Sequence, residues 1–166
     1  MENDIEIRHA TAEDINTIGF LAHSIWSQTY GKILTEAQLQ YMLQMIYSPA
    51  SLKKQMQQQH VFLIAELEEE PVGFASFSQS SKPGVFKLQK LYVDTNIQGK
   101  GLGRALIDAV IEEIQPQKAK ALLLNVNRHN KAISFYQKLG FAIIGEEDID
   151  IGNGYFMNDY VMEKKL

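Results

Sequence analysis

The sequence predicts an α/β layered domain built on a mixed sheet. Three observations carry that expectation. The first is size and composition: 166 residues, 45% hydrophobic and 22% charged, suit one domain that buries roughly 70% of the surface its unfolded chain would expose. The second is a change of periodicity near residue 60, from apolar residues at three-and-four spacing to strand-like runs. The third is the order strand, helix, strand, helix, strand in the second half. Residues 1–166 therefore read as a single domain, without repeat, low-complexity tract or linker.

Each element follows from its own pattern. "DIEIRHA" alternates over Ile5 and Ile7 and reads as a short strand. "TAEDINTIGFLAHSIWSQTY" is predicted helical, with Thr11 and Asp14 as a capping box and Ile15, Ile18, Ala22, Ile25, Trp26 and Thr29 on one face. A second helix carries Leu39, Met42, Leu43 and Ile46, and Ser48 before Pro49 opens a third. Residues 60–67 and 71–78 are expected to pair across an "EEEP" turn. "GVFKLQKLYVD" is a third long strand. A helix over 101–115 buries Leu102, Ala105, Leu106, Ala109, Val110 and Ile114, and Pro116 helps to end it. "KALLLNVN" reads as a buried strand, and "NKAISFYQKLG" as a helix whose Gly140 supplies a left-handed C-terminal residue. "FAIIGEEDID" and "YFMNDYVMEKKL" close the chain as an antiparallel pair.

Composition removes several function classes. The net charge is −4 with scattered Lys and Arg, which gives no footing to counterion-release binding of nucleic acid. The chain shows no apolar run long enough to span a bilayer and no signal-peptide pattern, so no membrane association and a cytoplasmic location are expected. Zero cysteines exclude a thiolate nucleophile and a Cys-containing metal site. His9, His23, His60 and His129 lack ligand spacing, so no metal is expected. No Gly-x-Ser-x-Gly elbow supports a serine hydrolase.

The informative stretch is "QGKGLGRAL", where Gly99, Gly101 and Gly103 stand between a strand and a helix, flanked by Lys100 and Arg104. A glycine-rich turn exposes main-chain N–H groups at the positive end of a helix, a natural anion site. The basic side chains would add charge-assisted contacts. A triphosphatase loop is excluded because no Ser or Thr follows the Lys in place, and the dinucleotide fingerprint fails because Arg104 or Leu106 falls where Gly or Ala is needed. Tight strand–helix packing alone is the remaining alternative.

Gln98, Gly101 and Gly103 fit the Gln/Arg-x-x-Gly-x-Gly/Ala pattern of the GNAT superfamily of acyl-CoA-dependent N-acyltransferases, which the chain resembles. "LYVD" upstream and "NKAISFYQKLGF" downstream match as well. The resemblance covers essentially the whole chain, with residues 30–60 matched only loosely. It implies a sheet of about seven strands, mostly antiparallel, with helices on both faces and a splayed central strand pair. It also implies acetyl-CoA as co-substrate, with Gln98, Gly99, Lys100, Gly101, Leu102, Gly103 and Arg104 around its pyrophosphate. Leu91, Tyr92 and Val93 would face the pantetheine arm and thioester, their main-chain N–H groups stabilising the oxyanion. Tyr136 matches the family's general acid, and Asn127, Asn130 and Phe135 are further cofactor-contact candidates, Phe135 also reading as packing. Side-chain mutation would miss the main-chain contribution, where one donor is worth on the order of 3 kcal/mol.

Two departures from the family pattern matter. Gln89 occupies a position that is often acidic, which leaves the base open among Asp159, Glu36 and water chains. His129 stands where many relatives carry Asn, with Asn130 one residue later. Trp26 and Tyr30, four apart on a helix, read as core and also as an acceptor wall able to cover an amine. The "ELEEEP" run reads as an exposed turn, with an acidic site for a polycation as the sharper alternative. The resemblance implies transfer of acetyl to a primary amine of a small molecule. "IWSQTYGKILT" and "NDYVMEKKL" look similar to bacterial polyamine-acetyltransferase-like members, which makes a polyamine the first acceptor expectation. An amino acid, an aminoglycoside and a protein N-terminus are the other acceptors, and an acyl-CoA-binding sensor without turnover is the second function class. The closing strands are a candidate homodimer contact.

Overall fold

The computed structural model describes residues 5–97 and 99–166. In chain order they form β1 (Ile5–His9), α1 (Ile15–Tyr30), α2 (Glu36–Tyr47), α3 (Pro49–Gln57), β2 (Val61–Leu67), β3 (Glu70–Gln79), β4 (Val85–Val93), α4 (Leu102–Ile114), β5 (Ala121–Asn127), α5 (Ala132–Lys138), β6 (Ala142–Gly152) and β7 (Tyr155–Lys165).

The local signals act where the sequence places them. Thr11 and Asp14 form the reciprocal capping box, though its first turn, Ala12–Asp14, is 3-10 and α1 begins only at Ile15. Arg8 holds both Asp14 oxygens at 2.9 and 3.0 Å, and the guanidinium keeps that carboxyl below its ordinary range. The Thr35 side chain accepts from Gln38 N–H to cap α2, and that of Ser48 accepts from Ser51 N–H to cap α3. Gly140 takes φ +96° just past α5. The hairpin turn falls on Glu68 and Glu69, both at positive φ, while Glu70 and Pro71 already belong to β3. The turn is therefore the first half of "EEEP" only, shorter by two residues than the sequence implied.

The strands form one seven-stranded sheet in the order β1-β2-β3-β4-β5-β7-β6. Of these contacts only β4–β5 is parallel. Its pairing runs from Val85↔Ala121 to Leu88↔Leu124 and stops, although β4 continues to Val93 and β5 to Asn127. The two central strands thus splay toward their C-terminal ends. One apolar cluster, including Leu63, Ala75, Phe77, Leu106, Val110 and Leu122, fills the layer between the sheet and α4 with α5. A second, including Ile18, Ile25, Leu43, Leu52, Phe62 and Phe74, fills the layer under α1–α3.

A bulge in β4 decides which side chains face which layer. Ser76 pairs with Lys90 and Phe77 with Leu88, leaving Gln89 unopposed. Before it, Phe86 and Leu88 point into the α4 layer. After it, Leu91 and Val93 pack on that layer while Tyr92 joins the α1–α3 cluster and Lys90 reaches the rings of Phe62 and Tyr47. One extra residue reverses the alternation just where the strands part.

Candidate active site

The splay opens into two cavities. The larger, of about 760 Å³, is lined by Leu91, Tyr92 and Val93 of β4, by Gly99 to Arg104, and by Asn130, Phe135 and Tyr136. The smaller, of about 360 Å³, lies toward α1–α3 and the β6–β7 hairpin and is lined by Trp26, Tyr47, Lys90 and Asp159 among others. Tyr30, Gln89, Lys90, Tyr92 and Asn125 belong to the walls of both. The two spaces therefore meet across a shared partition rather than on separate faces.

The floor of the larger cavity is main chain. Leu91, Tyr92 and Val93 pair with Ala75, Phe74 and Gly73 on one side and, among the described residues, with no strand on the other. In an antiparallel ladder the residues turned away from the partner direct their N–H and C=O outward, here into the gap. At the gap's end, Gly99 and Gly101 adopt φ +86° and +73°, which glycine reaches without strain. A Cβ at either position would meet nothing within 4 Å, so backbone conformation and not crowding requires glycine there. Gly103 differs: its Cβ would approach Phe135 Cζ to 3.1 Å. Helix α4 bonds first through Ala105 N–H to Gly101 O, so the N–H groups of Leu102, Gly103 and Arg104 precede its ladder. Lys100 and Arg104 are exposed beside this turn, Arg104 with Asp108 at 3.9 Å. Gln98 lies outside the described residues.

Tyr136 is buried, with ring centroids 5.4 Å from Phe135 and 5.7 Å from Phe141. Burial pushes its phenol well above the ordinary value, the opposite direction from what full proton donation needs. It is a protonated hydrogen-bond donor at any working pH. Asn130 caps the first turn of α5 by accepting from Ala132 N–H and sends its Nδ2 toward the Tyr30 hydroxyl at 3.5 Å. Asn127 lines the smaller cavity and not the larger, its side-chain oxygen accepting from His129 N–H.

The smaller cavity begins with an aromatic cluster. Trp26 contacts Tyr30, Tyr47 and Tyr92 at centroid distances of 4.8, 5.4 and 5.5 Å, and the hydroxyls of Tyr30 and Tyr92 lie 3.2 Å apart. Core packing and cavity lining are thus the same role for Trp26 and Tyr30. Tyr41 donates to Ile151 O at 2.7 Å and Gln38 Nε2 to Phe156 O at 3.1 Å, which hold the β6–β7 hairpin against α2 and close the far wall. Asp159, 3% exposed on β7, accepts from Asn125 Nδ2 at 3.3 Å. Burial is the main cause of its raised carboxyl pKa. Glu36 is exposed, accepts from Gln40 and lines neither cavity, and the acidic turn at Glu68–Glu70 also lines neither.

Sequence reasoning missed Lys90. In "FKLQKLYV" it stands two residues after Leu88, where alternation expects an apolar side chain, and a lysine there gives no sign of burial, yet it is 9% exposed. Its Nζ donates to Gln55 Oε1 at 2.6 Å and stands 5.4 and 5.9 Å from the ring centres of Phe62 and Tyr47. Burial, aided by nearby Lys87, takes its ammonium down to about 8.

The model of the acetyltransferase (GNAT) domain matches residues 31–163. The chain belongs to the GNAT acetyltransferase family. The spermidine N(1)-acetyltransferase of Thermoplasma acidophilum is 29% identical over 170 residues, covering 97% of each chain. The spermine/spermidine N(1)-acetyltransferase of Bacillus subtilis is 33% identical over 95 residues, covering 56% of this chain and 58% of that protein. This chain thus matches just over half the length of the Bacillus relative. Among solved structures, the PaiA N-acetyltransferase of Thermoplasma acidophilum in complex with coenzyme A superposes with a TM-score of 0.83 at 27% identity, covering 98% of this chain and 99% of that one. The GNAT fold, with its mostly antiparallel seven-stranded sheet and parted central strands, is therefore the fold of this chain. Among the described residues no helix is long and apolar enough to cross a membrane.

Proposed function

We propose that the chain transfers an acetyl group from acetyl-CoA to a primary amine of a small molecule by direct attack. The observation that carries this reading is the pair of cavities sharing the partition of Tyr30, Gln89, Lys90, Tyr92 and Asn125. A thioester laid along β4 and an amine held under α1–α3 would meet there, which replaces a bimolecular encounter by a positioned one. The glycine turn and the first N–H groups of α4 hold the pyrophosphate, with Lys100 and Arg104 around it. Asn130 and Phe135 complete that wall.

The step balances as follows. The neutral amine nitrogen attacks the thioester carbon, its electron pair forms the C–N bond, and the carbonyl oxygen becomes an oxyanion beside the outward N–H groups of Leu91 and Val93, since the N–H of Tyr92 belongs to the pair with Phe74. The C–S bond then breaks and the electron pair leaves on sulfur. Tyr136 donates a hydrogen bond to that thiolate and keeps its own proton, stabilising the charge on sulfur as the C–S bond breaks. Asp159 is the carboxylate that takes the proton from the amine, since Glu36 is exposed outside the cavities. Relatives named for spermidine and spermine support including polyamines in the panel of acceptors. The eleven residues of edge strand β6, with Ile143 and Ile144 exposed, support a homodimer through the closing strands.

Thiol release from acetyl-CoA, followed with a thiol-reactive dye across polyamines, amino acids and aminoglycosides, tests the reading. Turnover with one amine class that collapses in Tyr136→Phe supports the enzyme. Coenzyme A binding without release across the panel would favour a sensor.

A further inference from the structure

The smaller cavity is built for more than an amine. Its charged walls carry Lys87 and Lys90 against the single carboxylate of Asp159, with His60 beside the lysines. It also holds donors that lack partners. The indole N–H of Trp26 and the hydroxyl of Tyr47 are buried, at 3% and 2% exposure; the indole faces the Tyr47 oxygen outside good hydrogen-bond geometry, and the Tyr47 O–H has no acceptor among the described residues. Lys90 has three N–H donors and spends one on Gln55 among the described residues. Buried donors left unmade are costly, so a cavity with this surplus is matched by a ligand bringing acceptors and negative charge.

Resting on the acetyl-transfer reading, we infer that the acceptor carries a carboxylate besides its amine, the carboxylate held by Lys90 with Tyr47 and the amine on the Asp159 side. A polycation with no anionic group would set ammonium groups against Lys87 and Lys90 in a poorly solvated space, a like-charge conflict that selects against it. The cavity, near 360 Å³, is at the small end of ligand sites and suits a molecule of amino-acid size. Because Lys90 titrates at about 8, it is mostly charged at neutral pH.

The test uses the full chain saturated with coenzyme A. Trp26, the one tryptophan of the sequence, reports acceptor binding by fluorescence in the cavity it lines, with calorimetry as a second readout. Ligands are compared in pairs that differ by a carboxylate: lysine with 1,5-diaminopentane, methionine with 3-(methylthio)propylamine, and spermidine as the polycation. The carboxylate-bearing member is expected to bind at least ~10-fold tighter, equivalent to about 1.4 kcal/mol. Lys90→Met should reduce that ratio to about 2-fold or less by removing the charged donor, while Lys90→Arg, which keeps the charge, should retain most of it. Equal affinity within pairs, tighter binding of spermidine, or a ratio untouched by Lys90→Met in folded protein would each overturn the inference. Absence of thiol release with every acceptor would sink the transfer reading instead, leaving the binding ranks to stand by themselves.

Discussion

Lys90 should be a residue the fold would be more stable without. Burial brings its ammonium from an ordinary 10.5 to about 8. A lowered pKa for a base means that the folded state disfavours the charged form. Below pH 8 both folded and unfolded chains hold the proton and the penalty is complete. Between pH 8 and 10.5 the unfolded chain binds more protons than the folded one, so stability rises with pH across that window. At 1.36 kcal/mol per pH unit of displacement the full penalty is ~3 kcal/mol. Lys90→Met removes it but also removes the bond to Gln55, worth about 1 kcal/mol. The half-buried Gln55 keeps its bonds to Ile46 O and Ser51 Oγ at 2.8 and 3.1 Å. The variant is therefore expected to be about 2 kcal/mol more stable than the parent at pH 7, with the advantage shrinking steadily toward pH 10. Urea denaturation of both proteins at pH 7, 8, 9 and 10 measures this. Comparing the two proteins cancels the buried tyrosines, which titrate in both. Parallel stability curves, or a less stable variant at pH 7, would refute the reasoning. A stabilised variant that loses its preference for carboxylates would instead show a stability cost retained for binding.

The other predictions address the remaining parts of the site. Tyr136→Phe should lower kcat about 100-fold or more with little change in KM for acetyl-CoA, the pattern of a contact made mainly in the transition state. Gly101→Ala should lose ~1 kcal/mol of stability to backbone strain at φ +73°, a fall of about 2 to 4 °C in Tm, and weaken coenzyme A binding measured by calorimetry; unchanged affinity would remove the turn from the cofactor site. Asp159→Asn should cut kcat by about two orders of magnitude. In the parent, turnover should fall with acidity through a pKa above the ordinary carboxylate range, since burial raises that group. KM for a carboxylate acceptor should rise above pH 8 as Lys90 loses its proton; Lys87, His60, Tyr47 and Asp159 are the other titratable groups that face it.

What was legible in the sequence was what local chemistry specifies. The Thr11–Asp14 box, Ser48 before Pro49 and Gly140 after α5 each commit backbone donors or a positive φ within a few residues, and each acts where expected. The glycine turn and "AISFYQKLGF" were legible for the same reason: their spacing is the constraint. The smaller cavity was not. Its walls come from α1, α2, α3, the β6–β7 hairpin and β4, which are brought together only by tertiary packing. Lys90 stands two residues after Leu88, where alternation expects an apolar side chain, so "KLQKLYV" shows a break in the pattern but not which residue is inserted. The bulge is visible only in the pairing of Ser76 with Lys90 and Phe77 with Leu88.

That inserted residue gives one strand two tasks. Had the alternation of Phe86 and Leu88 continued, Lys90 and Tyr92 would point into the apolar layer under α4, and Leu91 and Val93 into the smaller cavity. The bulge turns the polar pair toward the smaller cavity and leaves the free strand edge toward the larger one. Gln89 itself lines both cavities and donates to Ser78 Oγ at 3.0 Å. Gln89→Glu keeps the size of this side chain, and the Ser78 hydroxyl can reverse and donate to it. The substitution should therefore preserve the bulge while adding a carboxylate next to Lys90, bringing the lining to two lysines against two acids. If the excess positive charge selects the acceptor, the preference for lysine over 1,5-diaminopentane should fall about 10-fold, as expected for a charge contact of ~1.4 kcal/mol, with coenzyme A affinity unchanged. A folded Gln89→Glu protein with the parent's preference would mean that shape, and not charge, chooses the amine.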